Sequence, residues 1–211
     1  SGSVSCIFDK NGNLSFQDYG NIENGEKIIK EINLNEKNTI NKIFDNLIKN
    51  YEQKNGFLPK NIVIHRDGFC RDSELNLIHD YFKKYEIKYT VLSILKHIDK
   101  KIYLFEDKNF KSSPIKAYIN EINKEAYVIT SNSFNKDKTS NPFKVKIIYT
   151  NDEYNIYNAC EDIYLLSYPC HMRGFVKLRL PMTIYYSDES STNRNKNYLE
   201  EDIIYNKLLC P

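Results

Sequence analysis

Short apolar runs of the strand type alternate along this sequence with longer stretches in which apolar residues recur at helical spacing. The clearest amphipathic stretch begins at Asn35 or Asn38 and continues to about Gln53. It predicts a helix, because its apolar positions form one stripe. These positions are Ile40, Ile43, Phe44, Leu47, Ile48 and Tyr51. A second amphipathic helix is predicted from Asp72 or Ser73 to about Tyr85.

Strands are predicted on either side of the second helix. Residues 61–66 contain an apolar run that is typical of a strand buried on both faces, and a further strand is predicted at 89–95. The order helix, strand, helix, strand predicts a parallel core to the sheet. Further strands are predicted at 4–8, 14–19, 102–105, 126–130 and 145–149, and further helices at 152–167, after Pro181 and at 198–208. Residues 106–124 show no regular pattern. We expect a single α/β domain over residues 1–211, with a mixed central sheet flanked by helices.

The strand at 61–66 ends abruptly at Arg66-Asp67-Gly68. Asp67 therefore stands just past the carboxyl end of a buried strand, which is where α/β sheets usually bind their ligands. Asp-Gly is also a common turn dipeptide, and a structural turn is the more frequent explanation of one such pair. A second carboxylate, Asp188, lies on a short helix that is predicted to have Pro181 in its first turn. Taken alone, Asp188 has the character of a solvated loop acid.

The charge balance limits how this chain can attract an anionic partner. The composition is 27% charged and 41% hydrophobic, as in a globular protein. The formal net charge is only +2, so any nucleic-acid site has to be a local basic patch. Two clusters qualify, although a charge run is usually a solvated face. They are Lys96, His97, Lys100 and Lys101, and then Arg173, Lys177 and Arg179.

The cysteines and the hydropathy pattern indicate the cellular compartment. The five cysteines are odd in number and lack metal-ligand spacing, which favours free thiols in a reducing environment. No apolar run approaches the roughly 18 residues of a transmembrane helix, and no signal-peptide pattern is present. We therefore expect a cytoplasmic protein that has no membrane partner.

Four segments of the sequence together resemble the Piwi domain of Argonaute proteins, of the prokaryotic long type. The first two are Ile62 to Gly68, with Arg66-Asp67-Gly68, and Leu92 to His97. The others are Thr139-Ser140-Asn141-Pro142 and the segment from Leu166 through Pro181 to Tyr185-Tyr186-Ser187-Asp188. The resemblance covers essentially the whole chain at a low level of sequence similarity. It implies an RNase H-like α/β fold.

The resemblance also implies a phosphodiester-cleaving site. Asp67 and Asp188 match two metal-binding acids of the family's catalytic tetrad, and Glu26 is the favoured match to its mobile glutamate. Glu36 is the alternate, with Glu31 between them. The cofactor implied is a pair of Mg²⁺ or Mn²⁺ ions, which prefer hard oxygen ligands. The family's first catalytic aspartate has no match here. We therefore expect a C-terminal Piwi fragment that is inactive alone but belongs to an endonuclease.

Other residues match the family's nucleic-acid contacts. Lys96, His97 and Arg173 would contact the backbone of a guide strand, which positions the strand without reading its sequence. Thr139 and Ser140 would add hydroxyl contacts, and the carboxylate of Pro211 is a weaker match to a terminal group near the guide's 5′ end. The partners implied are a guide DNA or RNA, a complementary single-stranded DNA or RNA target, and the rest of an Argonaute chain.

Three functions stay open from the sequence. The first is guide-directed cleavage of a single-stranded target by two-metal hydrolysis. The second is a catalytically silent guide- and target-binding module that acts through partner proteins. The third is an RNase H-like transposase core, against which the Tyr185-Tyr186-Ser187-Asp188 segment argues.

Overall fold

A computed structural model describes the backbone of residues 2–8, 14–21, 34–131, 141–167, 178–185 and 187–188. Within these ranges, side chains are described from residue 40 onward. The residues group into two compact units. One contains residues 1–62, 71–87 and 183–211, and the other contains residues 63–70 and 88–182. The expectation of a single domain stays a prediction.

The described residues form nine strands and three helices. Strands and helices alternate between residues 14 and 95, and the elements described from there to residue 150 are all strands. The strands are β1 (Gly2–Phe8), β2 (Leu14–Asn21), β3 (Asn61–Asp67), β4 (Lys88–Leu95), β5 (Tyr103–Glu106), β6 (Asn109–Ser112), β7 (Lys116–Asn120), β8 (Glu125–Ile129) and β9 (Phe143–Thr150). The helices are α1 (Leu34–Asn55), α2 (Asp72–Phe82) and α3 (Ile156–Leu165).

The main sheet has five strands in the order β3-β4-β9-β8-β7. β4 pairs antiparallel with β9, β9 with β8, and β8 with β7. β3 and β4 run in the same direction, because the N–H of Gly68, one residue past β3, donates to the carbonyl of Ile94 near the end of β4 at 2.9 Å. The predicted parallel core is thus this pair, and the predicted mixed sheet is confirmed.

The core of the unit that contains residues 88–182 lies around β4 and β9. β4 is buried along nearly its whole length, with Val91, Leu92 and Ile94 fully enclosed. α3 packs against β8 and β9 and contributes the buried Ala159 and Ile163. β4 is thus covered on both faces, although it includes the buried polar residues Thr90 and Ser93. The prediction that β3 is buried on both faces is wrong: β3 is only half-buried, because it stands at one end of the described sheet order and has β4 as its one described neighbour.

The other compact unit packs α1 and α2 around aromatic rings. Phe44 of α1 lies 5.0 Å from Tyr81 and 5.4 Å from Phe82 of α2, measured between ring centroids. The Tyr81 hydroxyl donates to the Asp45 carboxylate at 2.8 Å. Burial and this contact raise the pKa of Tyr81, so the phenol stays neutral. Within the predicted α1 stripe, Ile43, Leu47 and Ile48 are buried, and Ile40, Phe44 and Tyr51 are half-buried.

Several element boundaries differ from the prediction. α3 begins at Ile156 rather than near Asp152, because Asn155 caps it by accepting from the N–H groups of Tyr157 and Asn158. α1 begins at Leu34, so Glu36 lies within its first turn and not before it. Residues 106–124 contain β6 and β7, which the sequence pattern missed. The helix predicted at 198–208 lies outside the described residues.

Candidate active site

The carboxyl end of β3 presents Asp67 on a tightly fixed turn. β3 ends at Asp67, and Gly68 follows with φ of +89°, which L side chains rarely adopt. Besides its N–H bond to Ile94, Gly68 accepts a hydrogen bond through its carbonyl from the hydroxyl of Ser93 at 2.5 Å. Since both partners belong to β4, the turn after Asp67 is held against the neighbouring strand.

Lys96 lies beside Asp67 because β3 and β4 end side by side. The Lys96 Nζ atom is 2.8 Å from the Asp67 Oδ2 atom. The Lys96 side chain is 18% exposed and that of Asp67 is 38% exposed, so the pair is only partly shielded from solvent. The predicted metal ligand and the predicted nucleic-acid contact therefore meet, and the Asp67 carboxylate already holds a cationic group.

Two guanidinium groups bond to the main chain around this pair. Arg179 Nη2 donates to the Lys96 carbonyl at 2.5 Å, and its Nε donates to the Asn141 carbonyl at 3.2 Å. Burial lowers the pKa of Arg179, which stays charged because the ordinary pKa of arginine is far above neutral pH. Arg66 donates through Nη1 to the carbonyl of Asp67. The segment after each strand is thus fixed by a positive side chain.

The segment that carries Arg179 is held by buried hydroxyl and main-chain contacts. Thr130 is buried, and its hydroxyl donates towards the carbonyls of Leu178 at 3.2 Å and Arg179 at 2.6 Å. The N–H of Leu178 donates to the carbonyl of Ser167 at 2.9 Å. Arg179 therefore reaches Lys96 from a fixed main chain. The basic cluster at 173–179 signalled this arginine, but nothing in the sequence showed that its partners are carbonyl groups.

The two histidines near the site differ in environment. His65 lies within β3, and burial lowers the pKa of its imidazole to about 4, so it is neutral at pH 7. His97 follows Lys96 and is exposed. Its predicted role on a nucleic-acid backbone stays a prediction.

For the remaining predicted site residues, the assigned roles stay predictions. Asp188 is exposed at a helical position in the unit that contains residues 183–211, whereas Asp67 belongs to the other unit. Glu36 is described by its backbone alone, in the first turn of α1. The other predicted residues lie outside the described part of the chain: Glu26, Thr139, Ser140, Arg173 and Pro211.

The described residues do not by themselves complete a metal site. Among them, no group of three or more histidine, cysteine, aspartate or glutamate side chains could hold a metal ion. Asp67 nevertheless suits a divalent cation, since its carboxylate is a hard oxygen ligand that already faces a positive group at 2.8 Å. Among the cysteines whose side chains are described, Cys70 and Cys160 form no disulfide, and burial raises the pKa of Cys160 to about 11. None of the helices in the ranges listed above has the length and apolar character needed to cross a membrane.

A mixed sheet with a carboxylate at the end of its parallel pair is an arrangement found in nucleases and in nucleic-acid-binding domains. Comparison with known families makes the assignment specific. The family model of the Piwi domain matches residues 2–199, and the chain belongs to the Piwi domain family. Its fold is therefore the RNase H-like fold that the sequence motifs implied.

Curated relatives are Argonaute proteins of bacteria. The chain is 25% identical to the Argonaute of Marinitoga hydrogenitolerans over 135 residues, which is 64% of this chain and 19% of the relative. It is 26% identical to the Argonaute of Aquifex aeolicus over 128 residues, which is 61% of this chain and 17% of the relative. The matched part thus spans about a fifth of the length of these relatives.

Solved structures of Argonautes superimpose on most of the chain. Clostridium butyricum Argonaute, bound to a guide DNA and a target DNA, matches with a TM-score of 0.68 and 27% identity. The match covers 90% of this chain and 26% of that protein. Marinitoga piezophila Argonaute, in complex with a guide RNA and a target DNA, matches with a TM-score of 0.65 and 19% identity over 95% of this chain and 29% of that protein. The second match supports the fold alone.

Proposed function

We propose that this chain is part of a guide-directed endonuclease that cleaves a complementary single-stranded nucleic acid. The observation that carries the proposal is the Asp67 carboxylate, held at the carboxyl end of β3 and facing a cationic group at 2.8 Å. Membership of the Piwi domain family supports it, as does the matched Clostridium butyricum structure with its guide and target DNA. Whether this protein takes a DNA or an RNA guide is left open in the proposal.

The proposal includes a site for Mg²⁺ or Mn²⁺. Asp67 and Asp188 would be ligands, and Glu26, or Glu36 as the alternate, would supply a further carboxylate. Bound together, two such ions would activate the attacking water and stabilise the leaving oxygen. Because the described residues provide no complete set of ligands, the rest of the set has to come from the other predicted acids and from elsewhere in the protein.

The chain's own residues have two further tasks in this proposal. The hydrogen bonds from the Ser93 hydroxyl and to the Ile94 carbonyl fix the turn at Gly68. This turn keeps the Asp67 carboxylate at the carboxyl end of β3. Lys96, at the adjacent strand end, is placed to contact a phosphate next to that carboxylate. Phosphate contacts by Lys96, and by Arg173 outside the described residues, would position the strand without selecting its sequence.

The test is cleavage of a labelled single-stranded target by the full-length protein, with a complementary guide and Mn²⁺. Asp67→Asn keeps the size of the side chain but removes its charge, and we expect it to lower cleavage by about 10²-fold or more while guide binding persists. The matched control is Asp99→Asn, which removes an exposed acid from the loop after Lys96. Unchanged cleavage by the Asp67 variant would refute the nuclease assignment.

One observation favours a second candidate, a guide-binding module without chemistry. Lys96 neutralises Asp67 in the structure, with its Nζ atom 2.8 Å from Oδ2. In that case the wild-type protein would bind guide and target tightly and cut neither. The same assay separates the two candidates, since only the nuclease gives a cut at a position fixed by the guide.

A further inference from the structure

The Asp67–Lys96 ion pair joins two groups that the proposed function assigns to different ligands. Asp67 is assigned to a divalent cation, and Lys96 to a phosphate of the bound strand. In the structure the two side chains bind each other instead, with Nζ and Oδ2 2.8 Å apart. While the ion pair persists, the affinity of Asp67 for a cation and the affinity of Lys96 for a phosphate are both lowered.

We propose that the Asp67–Lys96 pair couples divalent-cation binding to nucleic-acid binding, so that each ligand strengthens the binding of the other. This inference rests on the proposed function of the site. A cation that binds Asp67 displaces the ammonium group and leaves it available for phosphate. A phosphate that draws Lys96 away leaves the carboxylate available for the cation.

The coupling follows from the competition itself. Separating the ion pair costs free energy. The first ligand to bind, cation or phosphate, separates Asp67 from Lys96 and so binds more weakly by that amount. The second ligand then binds without having to break the pair. By thermodynamic linkage the two ligands must strengthen each other by the same factor. The main chain of Lys96 stays in place when the pair separates, because its carbonyl accepts a hydrogen bond from Arg179 at 2.5 Å. The release is therefore a rotation of the flexible lysine side chain.

The size of the effect is set by how strong the pair is. The two side chains are 18% and 38% exposed, so solvent screens part of their attraction. Partly exposed ion pairs are weak, and we expect removal of the lysine charge to change cation affinity by about two- to fivefold. A pair of this strength neutralises the Asp67 carboxylate without preventing a cation from displacing the lysine.

The distinguishing experiment measures Mn²⁺ binding to the full-length protein without nucleic acid, by electron paramagnetic resonance of the free ion. We expect Lys96→Gln to bind Mn²⁺ about two- to fivefold more tightly than wild type, because the competing ammonium is gone. Lys96→Arg, which keeps a cation at this position, should stay close to wild type. The matched control is Lys100→Gln, which removes the charge of a nearby exposed lysine that bonds to the Tyr127 hydroxyl.

A second arm measures guide binding with and without Mn²⁺. Wild type should bind the guide more tightly in Mn²⁺, and Lys96→Gln should lose most of that gain. If the variant binds Mn²⁺ no more tightly than wild type, or keeps the full gain, the coupling is refuted. Asp67→Asn provides the separate check of the proposed function: if it leaves Mn²⁺ binding unchanged, the metal assignment itself fails. Circular dichroism of each variant excludes loss of folding as the cause.

Discussion

At the scale of single residues, the site depends on a backbone conformation that most residues avoid. Gly68 has φ of +89° next to Asp67, and Gly56, just past the end of α1, has φ of +77°. An added Cβ at Gly68 would meet only Arg66 Nη1, at 3.7 Å, and at Gly56 it would meet nothing within 4 Å. Strain from the positive φ, rather than crowding, therefore sets the cost of a substitution at both positions.

This pair of glycines gives a matched prediction. Gly68→Ala and Gly56→Ala should each lower the free energy of unfolding by about 1 kcal/mol, because alanine is disfavoured at positive φ. Only Gly68→Ala should also lower target cleavage, since it disturbs the turn that holds Asp67. Urea denaturation and the guided cleavage assay measure the two effects. Equal cleavage by both variants would show that the turn does not position the carboxylate.

His65 makes stability depend on pH. Its pKa is lowered from 6.5 to about 4 in the folded protein, so the unfolded chain binds a proton more readily below pH 6.5. Stability is therefore lost as pH falls from 6.5 towards 4, by about 2 kcal/mol at pH 5. His65→Gln should remove this part of the pH dependence. Urea unfolding of both proteins at pH 8 and pH 5 measures it, and parallel losses would contradict the assignment.

At the scale of elements, α3 shows how one side chain sets a helix boundary. Asn155 accepts from two N–H groups at the start of the helix, and the Asn158 side chain accepts in return from the Asn155 N–H at 3.0 Å. This reciprocal cap begins the helix four residues later than Asp152, which instead pairs with Lys88 at 2.9 Å. The helix then packs its apolar face on β8 and β9.

The cap provides a prediction for this element. Asn155→Ala should lower the free energy of unfolding by about 1 kcal/mol, because two N–H groups lose their acceptor. Asn155→Asp should keep wild-type stability, since aspartate is an equally good cap. Thermal unfolding of the three proteins measures the difference. Similar losses in both variants would mean that the amide nitrogen, and not the accepting oxygen, stabilises the start of α3.

The elements differ in how far the sequence predicted them. β4, α1 and α2 were located to within a few residues, because burial imposes continuous or periodic apolar patterns on them. β3 was located from its apolar run, although the strand is only half-buried. β6 was missed because all four of its residues are exposed, so no burial pattern marks it. That strand forms through the turn at Asp107 and Lys108, both at positive φ, and through pairing with β5.

At the scale of the whole molecule, the family and the place of Asp67 were predictable, and the Asp67–Lys96 contact was not. The carboxyl end of an apolar strand is visible in a sequence, so Asp67 could be assigned to a site. Its neighbour across the parallel pair depends on the register of two strands separated by a helix. Lys96 was therefore assigned to a phosphate alone. Since the chain spans about a fifth of its curated relatives, the proposed activity has to be tested in the longer protein.

The bond from Arg179 to Lys96 also has a consequence for biosynthesis. The two residues are 83 positions apart, so Lys96 is translated well before its clamping partner. At ordinary rates of translation this interval is roughly 4 to 17 s. During that time β3 and β4 can pair, yet the carbonyl after β4 has no access to Arg179. The bond to the Lys96 carbonyl can therefore form only after residue 179 has been made, and ribosome stalling before that residue would leave the segment after β4 without this clamp.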